Sequence, residues 1–174
     1  DQPTSGFPLV SADGAYVVFE SAASDLVAGE SDGNNATDVF LYTVATGTNT
    51  LVSHASGSGG AAGNGASFAP VLSADGSAIA FVSRANNLVA GLSDPLGTDN
   101  VYLYGRLTGT TVLVSHGAAF STQVGNGPSA TPVISADGGS IVYRSQAGNL
   151  VGSGTSALTT SQLYLWSRAD GTRC

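Results

Sequence analysis

Three observations predict an all-β fold built from repeated antiparallel sheets. A 62-residue unit recurs without a break in phase, so that Pro8, Pro70 and Pro132 keep one spacing, as do Asp13-Gly14, Asp75-Gly76 and Asp137-Gly138. The apolar runs are dominated by β-branched and aromatic residues, and Gly or Pro interrupts every stretch long enough to be helical. The 174-residue chain is 42% hydrophobic and only 10% charged, a balance that suits a packed core better than disorder. Further matches hold the phase. Ser21, Ser83 and Ser145 correspond, as do Leu26-Val27, Leu88-Val89 and Leu150-Val151. Leu51-Val52-Ser53-His54 returns once as Leu113-Val114-Ser115-His116, and Gly63-Asn64-Gly65 returns as Gly125-Asn126-Gly127. A period of this size is the signature of a repeat architecture.

Each unit reads as four short strands. The first is FPLVS, APVLS or TPVIS. An Ala-Asp-Gly turn follows, Asp and Gly being residues that accept positive φ at low cost. The second strand is AYVVFES, AIAFVS or SIVYRS, and a long connection rich in Asn, Asp, Gly and Ser comes after it. The third is DVFLYTV, NVYLYGR or QLYLWSR. A Thr-Gly or Asp-Gly turn leads to a fourth, expected as TLVSHAS or VLVSHGA. Unit three stops at RADGTRC, so its outer strand is expected to be missing and eleven strands are predicted.

The central strands do not alternate apolar and polar residues. Val17-Val18-Phe19, Ile79-Ala80-Phe81 and Ile141-Val142-Tyr143 are continuous, and so are Val39-Phe40-Leu41-Tyr42, Val101-Tyr102-Leu103-Tyr104 and Leu163-Tyr164-Leu165-Trp166. Successive side chains point to opposite faces of a strand, so these sheets are apolar on both faces and need cover on both. A repeated four-stranded sheet of that kind is a β-propeller blade. The phrase P-x-x-S-x-D-G-x-x-[IV]-x-[FY]-x-S, followed by [VL]-[FY]-L-[YW] and T-x-L-V-S, resembles the TolB-like (WD-like) propeller repeat of bacterial secreted and periplasmic proteins. The resemblance covers essentially the whole chain and implies a secreted, extracellular or periplasmic location. The unit is longer than the roughly 40–50 residues usual for a blade. Residues 1–174 are therefore expected to form one repeat domain, with blades at about 7–55, 69–117 and 131–174. Three blades are too few to surround an axis. The stack is expected to be open, or to be completed by neighbouring chains through its apolar end blades.

Little in the sequence points to chemistry. The net charge is −7, with five arginines and no lysine, which argues against nucleic acid and against anionic membrane surfaces. No apolar run approaches the length of a membrane span. DQPTSG at the N-terminus is compatible with a cleaved leader or a chosen boundary. Cys174 is the only cysteine and reads as an incidental free thiol. His54 and His116 occupy equivalent positions in two units and read as packing or hydrogen-bonding residues rather than a catalytic pair. No serine sits in a G-x-S-x-G context, and Ser11, Ser73 and Ser135 precede the turn in every unit. Asp13, Asp75 and Asp137 have a turn role, and no two acids stand out as a glycosidase pair. GSGGAAGNG at 57–65 lacks the Lys-Ser/Thr ending of a phosphate loop.

The best candidate for a specific site is SDLVAGESDGNNATD at 24–38. Asp25, Glu30, Asp32 and Asp38, with Asn34 and Asn35, offer the hard oxygen ligands that calcium prefers, though not at EF-hand spacing. Unit two keeps only Asn87, Asp94, Asp99 and Asn100. Asn35-Ala36-Thr37 fits the N-glycosylation pattern, but a bacterial source would not be expected to use it. No catalytic or cofactor-binding residue is assigned. The expectation is a non-enzymatic scaffold for protein contact, self-associating into a ring or head-to-tail filament. The alternatives are a piece of a longer TolB-like propeller beside a peptidase-like domain, or a calcium- or carbohydrate-binding module. Aromatic platforms for sugars are few, since Trp166 falls in a predicted buried strand.

Overall fold

The computed structural model describes residues 5–152 and 156–173, and Cys174 lies outside them. Three four-stranded antiparallel sheets follow one another along the chain, each in simple sequential order. Blade one is β1 Ser5–Val10, β2 Tyr16–Ser21, β3 Asp38–Thr43 and β4 Thr48–Leu51. Blade two is β5 Ser67–Leu72, β6 Ala78–Ser83, β7 Asn100–Gly105 and β8 Thr110–Leu113. Blade three is β9 Ser129–Ile134, β10 Ser140–Ser145, β11 Gln162–Ser167 and β12 Gly171–Arg173.

Two features differ from the sequence reading, and they share a cause. The outer strand starts directly after the turn glycine and ends at Leu51 or Leu113, ahead of Val52-Ser53-His54 and Val114-Ser115-His116. There the Val39 amide donates to the Ser53 hydroxyl at 3.0 Å, and the Val101 amide donates to the Ser115 hydroxyl in the same way. A side chain thus replaces the next carbonyl of the ladder, and the chain is free to leave toward the following blade. Because the outer strand begins early, blade three keeps a stub of it. The truncation expected from the sequence is partial, with three residues paired against four in the other blades.

The inner strand of every blade carries a bulge at its proline. The register shifts between Gly6 and Leu9, between Phe68 and Val71, and opposite Val142–Arg144 in blade three. Proline has no amide to give to the ladder, so a bulge on an edge strand is where it fits. The residues before it, Ala69 and Thr131, have φ of 51° and 52°.

The core is two seams between blades. Each blade has a leading face toward the preceding blade and a trailing face toward the next. The first seam packs Val18, Val39, Leu41 and Val52 of blade one on Ile79, Phe81, Tyr102 and Tyr104 of blade two. The second packs Ala78, Ala80, Val101, Leu103 and Val114 on Ile141, Tyr143, Tyr164 and Trp166. A stacked aromatic pair marks every leading face, with ring centroids 5.7 Å apart for Phe19–Phe40, 5.8 Å for Phe81–Tyr102 and 5.9 Å for Tyr143–Tyr164. Every residue of β6 is buried, because blade two is covered on both sides.

Candidate functional site

The repeat-locked serines and aspartates build one small network three times. Ser11 Oγ donates to Asp13 Oδ1 at 2.6 Å, and that carboxylate also accepts the Ala15 amide at 2.9 Å. The Tyr16 amide closes the loop on Ser11 Oγ at 3.0 Å. The same bonds join Ser73, Asp75 and Ala78, and again Ser135, Asp137 and Ser140. Hydrogen bonding to the charged form lowers a carboxyl pKa. The Ser77 amide, then the Ser73 hydroxyl, hold Asp75 down to about 2, and Asp13 and Asp137 are lowered chiefly by their serines. These aspartates are committed to the turn.

Each turn also reaches its neighbour. The Ala12 amide donates to the Ala74 carbonyl at 2.8 Å, and the Ala74 amide donates to the Ala136 carbonyl at 2.9 Å. A second linkage lies further along. The Ser67 amide donates to the Thr37 carbonyl at 2.7 Å, and Ser129 to Asp99 at 2.8 Å. A third comes from Gly-Asn-Gly. Asn64 and Asn86 exchange bonds of 2.6 and 2.9 Å, while the Asn64 amide donates to Asn87 Oδ1. Asn126 repeats the clasp on Gly148 and Asn149. The glycines are needed for close approach: a Cβ on Gly63 would lie 2.7 Å from Leu88 Cδ2, and one on Gly125 2.7 Å from Ala147 Cβ. The recurrence of Gly-Asn-Gly was visible in the sequence. Its action on the next blade was not, since nothing local signals a contact with residues about twenty positions ahead.

The acidic loop of blade one does not assemble a ligand set. Asp25 is exposed. Asp32 Oδ1 accepts the amides of Asn34 and Asn35, both at 3.0 Å. Asn34 is engaged with the Ala36 amide and the Gly63 carbonyl. Glu30 Oε2 accepts the Val27 amide at 3.2 Å, and its other oxygen has no partner among the described residues. Asp38 is buried and accepts the Ser53 hydroxyl at 2.6 Å. Burial pushes Asp38 up to about 6 against that bond, with Asp32 and Glu30 adding to the rise. Burial raises Glu30 as well. Among the described residues no three His, Cys, Asp or Glu side chains converge as a metal group. In blade two, Asn100 replaces Asp38 and accepts the Ser115 hydroxyl at 3.3 Å.

The histidines lie at the seams. Nδ1 of His54 pairs with the Ala55 carbonyl at 2.9 Å, and Nδ1 of His116 pairs with that of Gly117 at 3.0 Å. His54 meets the Tyr104 ring edge-on at 5.8 Å. A cleft of about 550 Å³ opens at the outer rim of the second seam, among Leu103, Leu107, Val112, His116, Trp166 and Arg168. In the first seam the Arg106 guanidinium lies 4.1 Å over the Tyr16 ring at the corresponding place. The counterparts there are Arg168 and Ala78, and no ring fills the space.

The end faces differ from the inner ones. Leu163 is 65% exposed and Leu165 40%, whereas their counterparts Val39, Leu41, Val101 and Leu103 are at most 2% exposed. Val133 and Val142 stand on the same trailing face, also exposed. On the leading face of blade one Val10 is 59% exposed, while Leu72 and Ile134 at the same position are half-buried.

This geometry defines the chain as three consecutive β-propeller blades, open at both ends. It superposes on TolB from Acinetobacter baumannii with a TM-score of 0.54 at 14% identity, over 98% of this chain and 32% of that one. An Agrobacterium tumefaciens protein assigned as TolB gives 0.58 at 14% identity, over 99% and 49%. The tricorn protease gives 0.54 at 12% identity, over 98% and 15%. The fold is thus that of TolB-type and peptidase-associated propellers, and the chain spans less than half the length of these structures. No protein-family model and no curated protein sequence matches it.

Proposed function

We propose that this chain is a non-enzymatic structural module that works by protein–protein contact through the two end faces of its blade stack, in a secreted or periplasmic setting. The observation that carries this reading is the exposure of Leu163 and Leu165 at positions that are otherwise sealed by the next blade. Apolar surface of that kind marks an interface. The absence of an assigned nucleophile–base pair accords with a scaffold, as do histidines engaged with their own backbone. The location follows the resemblance to TolB-like repeats. Light scattering over a concentration series tests the contact. The scattering mass is expected to exceed the 17.2 kDa of one chain and to fall toward it in the double variant Leu163→Asp, Leu165→Asp. A chain that scatters as one copy at every concentration, with or without the aspartates, would overturn the reading.

A second reading has its own support. The chain spans 49% or less of each matched structure, one of which is a protease. On that reading further blades of a longer polypeptide, carried beside a catalytic domain, cover the same two faces.

A further inference from the structure

We infer that the partner of these end faces is a second copy of this chain, docked head to tail, and that two copies close a six-bladed ring. The inference rests on the contact reading above and names its occupant.

The hydrogen bonds between turns supply the first argument. Ala12 gives its amide to Ala74, and Ala74 gives its own to Ala136. The series leaves the Ala12 carbonyl at one end and the Ala136 amide at the other, and neither has a partner among the described residues. Both alanines are exposed, whereas Ala74 between them is half-buried. The missing bond is complementary in kind: a donor on the trailing side and an acceptor on the leading side. A copy placed in the same blade-to-blade relation joins Ala136 to Ala12. It also brings the Ser5 amide to the Ser161 carbonyl, the next term after Ser67–Thr37 and Ser129–Asp99.

Side-chain size supplies the second. The smallest trailing face, Ala80, Val101 and Leu103, meets the largest leading face, Ile141, Tyr143, Tyr164 and Trp166. The intermediate trailing face, Val18, Val39 and Leu41, meets the intermediate leading face, Ile79, Phe81, Tyr102 and Tyr104. The largest trailing face is left over: Val142, Leu163 and Leu165. So is the smallest leading face: Val17, Phe19, Phe40 and Tyr42. Seams are packed to near-crystal density, so bulk on one side must be matched by space on the other. The two unused faces of this one chain fit each other by the rule that its inner seams obey.

Ring size supplies the third. Propellers close with about four to eight blades, and two copies supply six. Two lengths of this chain also make up one Agrobacterium structure, of which it covers 49%. Such a contact is heterologous, and it ends in a closed body when the rotation closes.

Complementation tests the arrangement. A tail variant carries Leu163→Asp and Leu165→Asp, and a head variant carries Val10→Asp and Val17→Asp. If the latter does not fold, Val10→Asp alone serves, since that side chain is 59% exposed. Thermal melts confirm folding, and native mass spectrometry reads the assembly. The expected result is a two-chain species for the unaltered protein, single chains for either variant, and a one-to-one pair when the variants are mixed. That pair keeps one sound contact and loses ring closure, so its dissociation constant should be weaker by about 100-fold or more. A head variant that still pairs with itself would overturn the inference, as would a mixture that stays as single chains. An unaltered protein that does not pair would overturn it too. Association lost only in the tail variant would sink the second copy as occupant while leaving the trailing face as a contact surface.

Discussion

Asp38 and Gly76 show how single residues in this fold are set by their surroundings. Asp38 keeps its proton up to about pH 6 when folded, because burial outweighs the Ser53 hydroxyl, and releases it near 3.8 in the unfolded chain. Between those values the folded state binds more protons than the unfolded one, so stability falls as pH rises through the window. Asp38→Asn copies the Asn100 of blade two. It is expected to leave stability unchanged below about pH 4 and to raise it at pH 7, by at most about 3 kcal/mol. Urea titrations at the two pH values check this, and an equal effect at both would refute it. Gly76 and Gly14 share the left-handed conformation, with φ of 64° and 71°. A Cβ on Gly76 would lie 2.6 Å from Tyr16 Cδ2 in the first seam, whereas one on Gly14 would meet nothing within 4 Å. Both alanine variants bear the backbone cost of about 1 kcal/mol. Gly76→Ala is expected to cost at least about 1 kcal/mol more, for overpacking, and chemical denaturation of the pair measures the difference. The sequence marks these glycines as turn residues. It does not mark which of them a neighbouring blade presses upon.

At the scale of elements, the turn network and the Gly-Asn-Gly clasp do different work. The turn network closes within its own hairpin, which is why Ser-x-Asp-Gly was legible as a turn from the sequence alone. The clasp acts between blades, and Asn64→Ala removes both side-chain bonds to Asn86. A loss of about 1 kcal/mol is expected from two exposed bonds, with hydrogen exchange faster in the Ala85–Leu88 loop and unchanged in β10 and β11. Faster exchange across all three blades would contradict a local clasp. The strand content was legible because Val17–Phe19, Ile79–Phe81 and their partners are continuous apolar runs, a pattern that local chemistry fixes. The end of the outer strand was not. Leu-Val-Ser-His has strand character throughout, and only the Ser53 and Ser115 hydroxyls, by taking the amides of Val39 and Val101, stop the ladder early. The acidic loop at 24–38 carried the right ligand types for calcium. Whether its oxygens converge depends on turn geometry, and Asp32 and Asn34 spend theirs on nearby backbone amides.

For the whole molecule, stability is expected to follow the number of covered faces. Blade two is covered on both, so the amides of β6 and β7 should exchange slowest in the isolated chain, and those of β10 and β11 faster. In an associated sample the difference should shrink, because the trailing face of blade three is then covered. The repeat period made the number of blades legible, and the two-faced apolar pattern made the need for cover legible. The face that lacks it emerged only when Leu163 and Leu165 could be compared with their sealed counterparts. The account's central claim is that two copies complete one ring through those faces. Electron microscopy of the purified chain addresses it most directly. The account predicts closed discs of six blades around a central axis. A field of solitary three-blade wedges would contradict it, and so would open fibres.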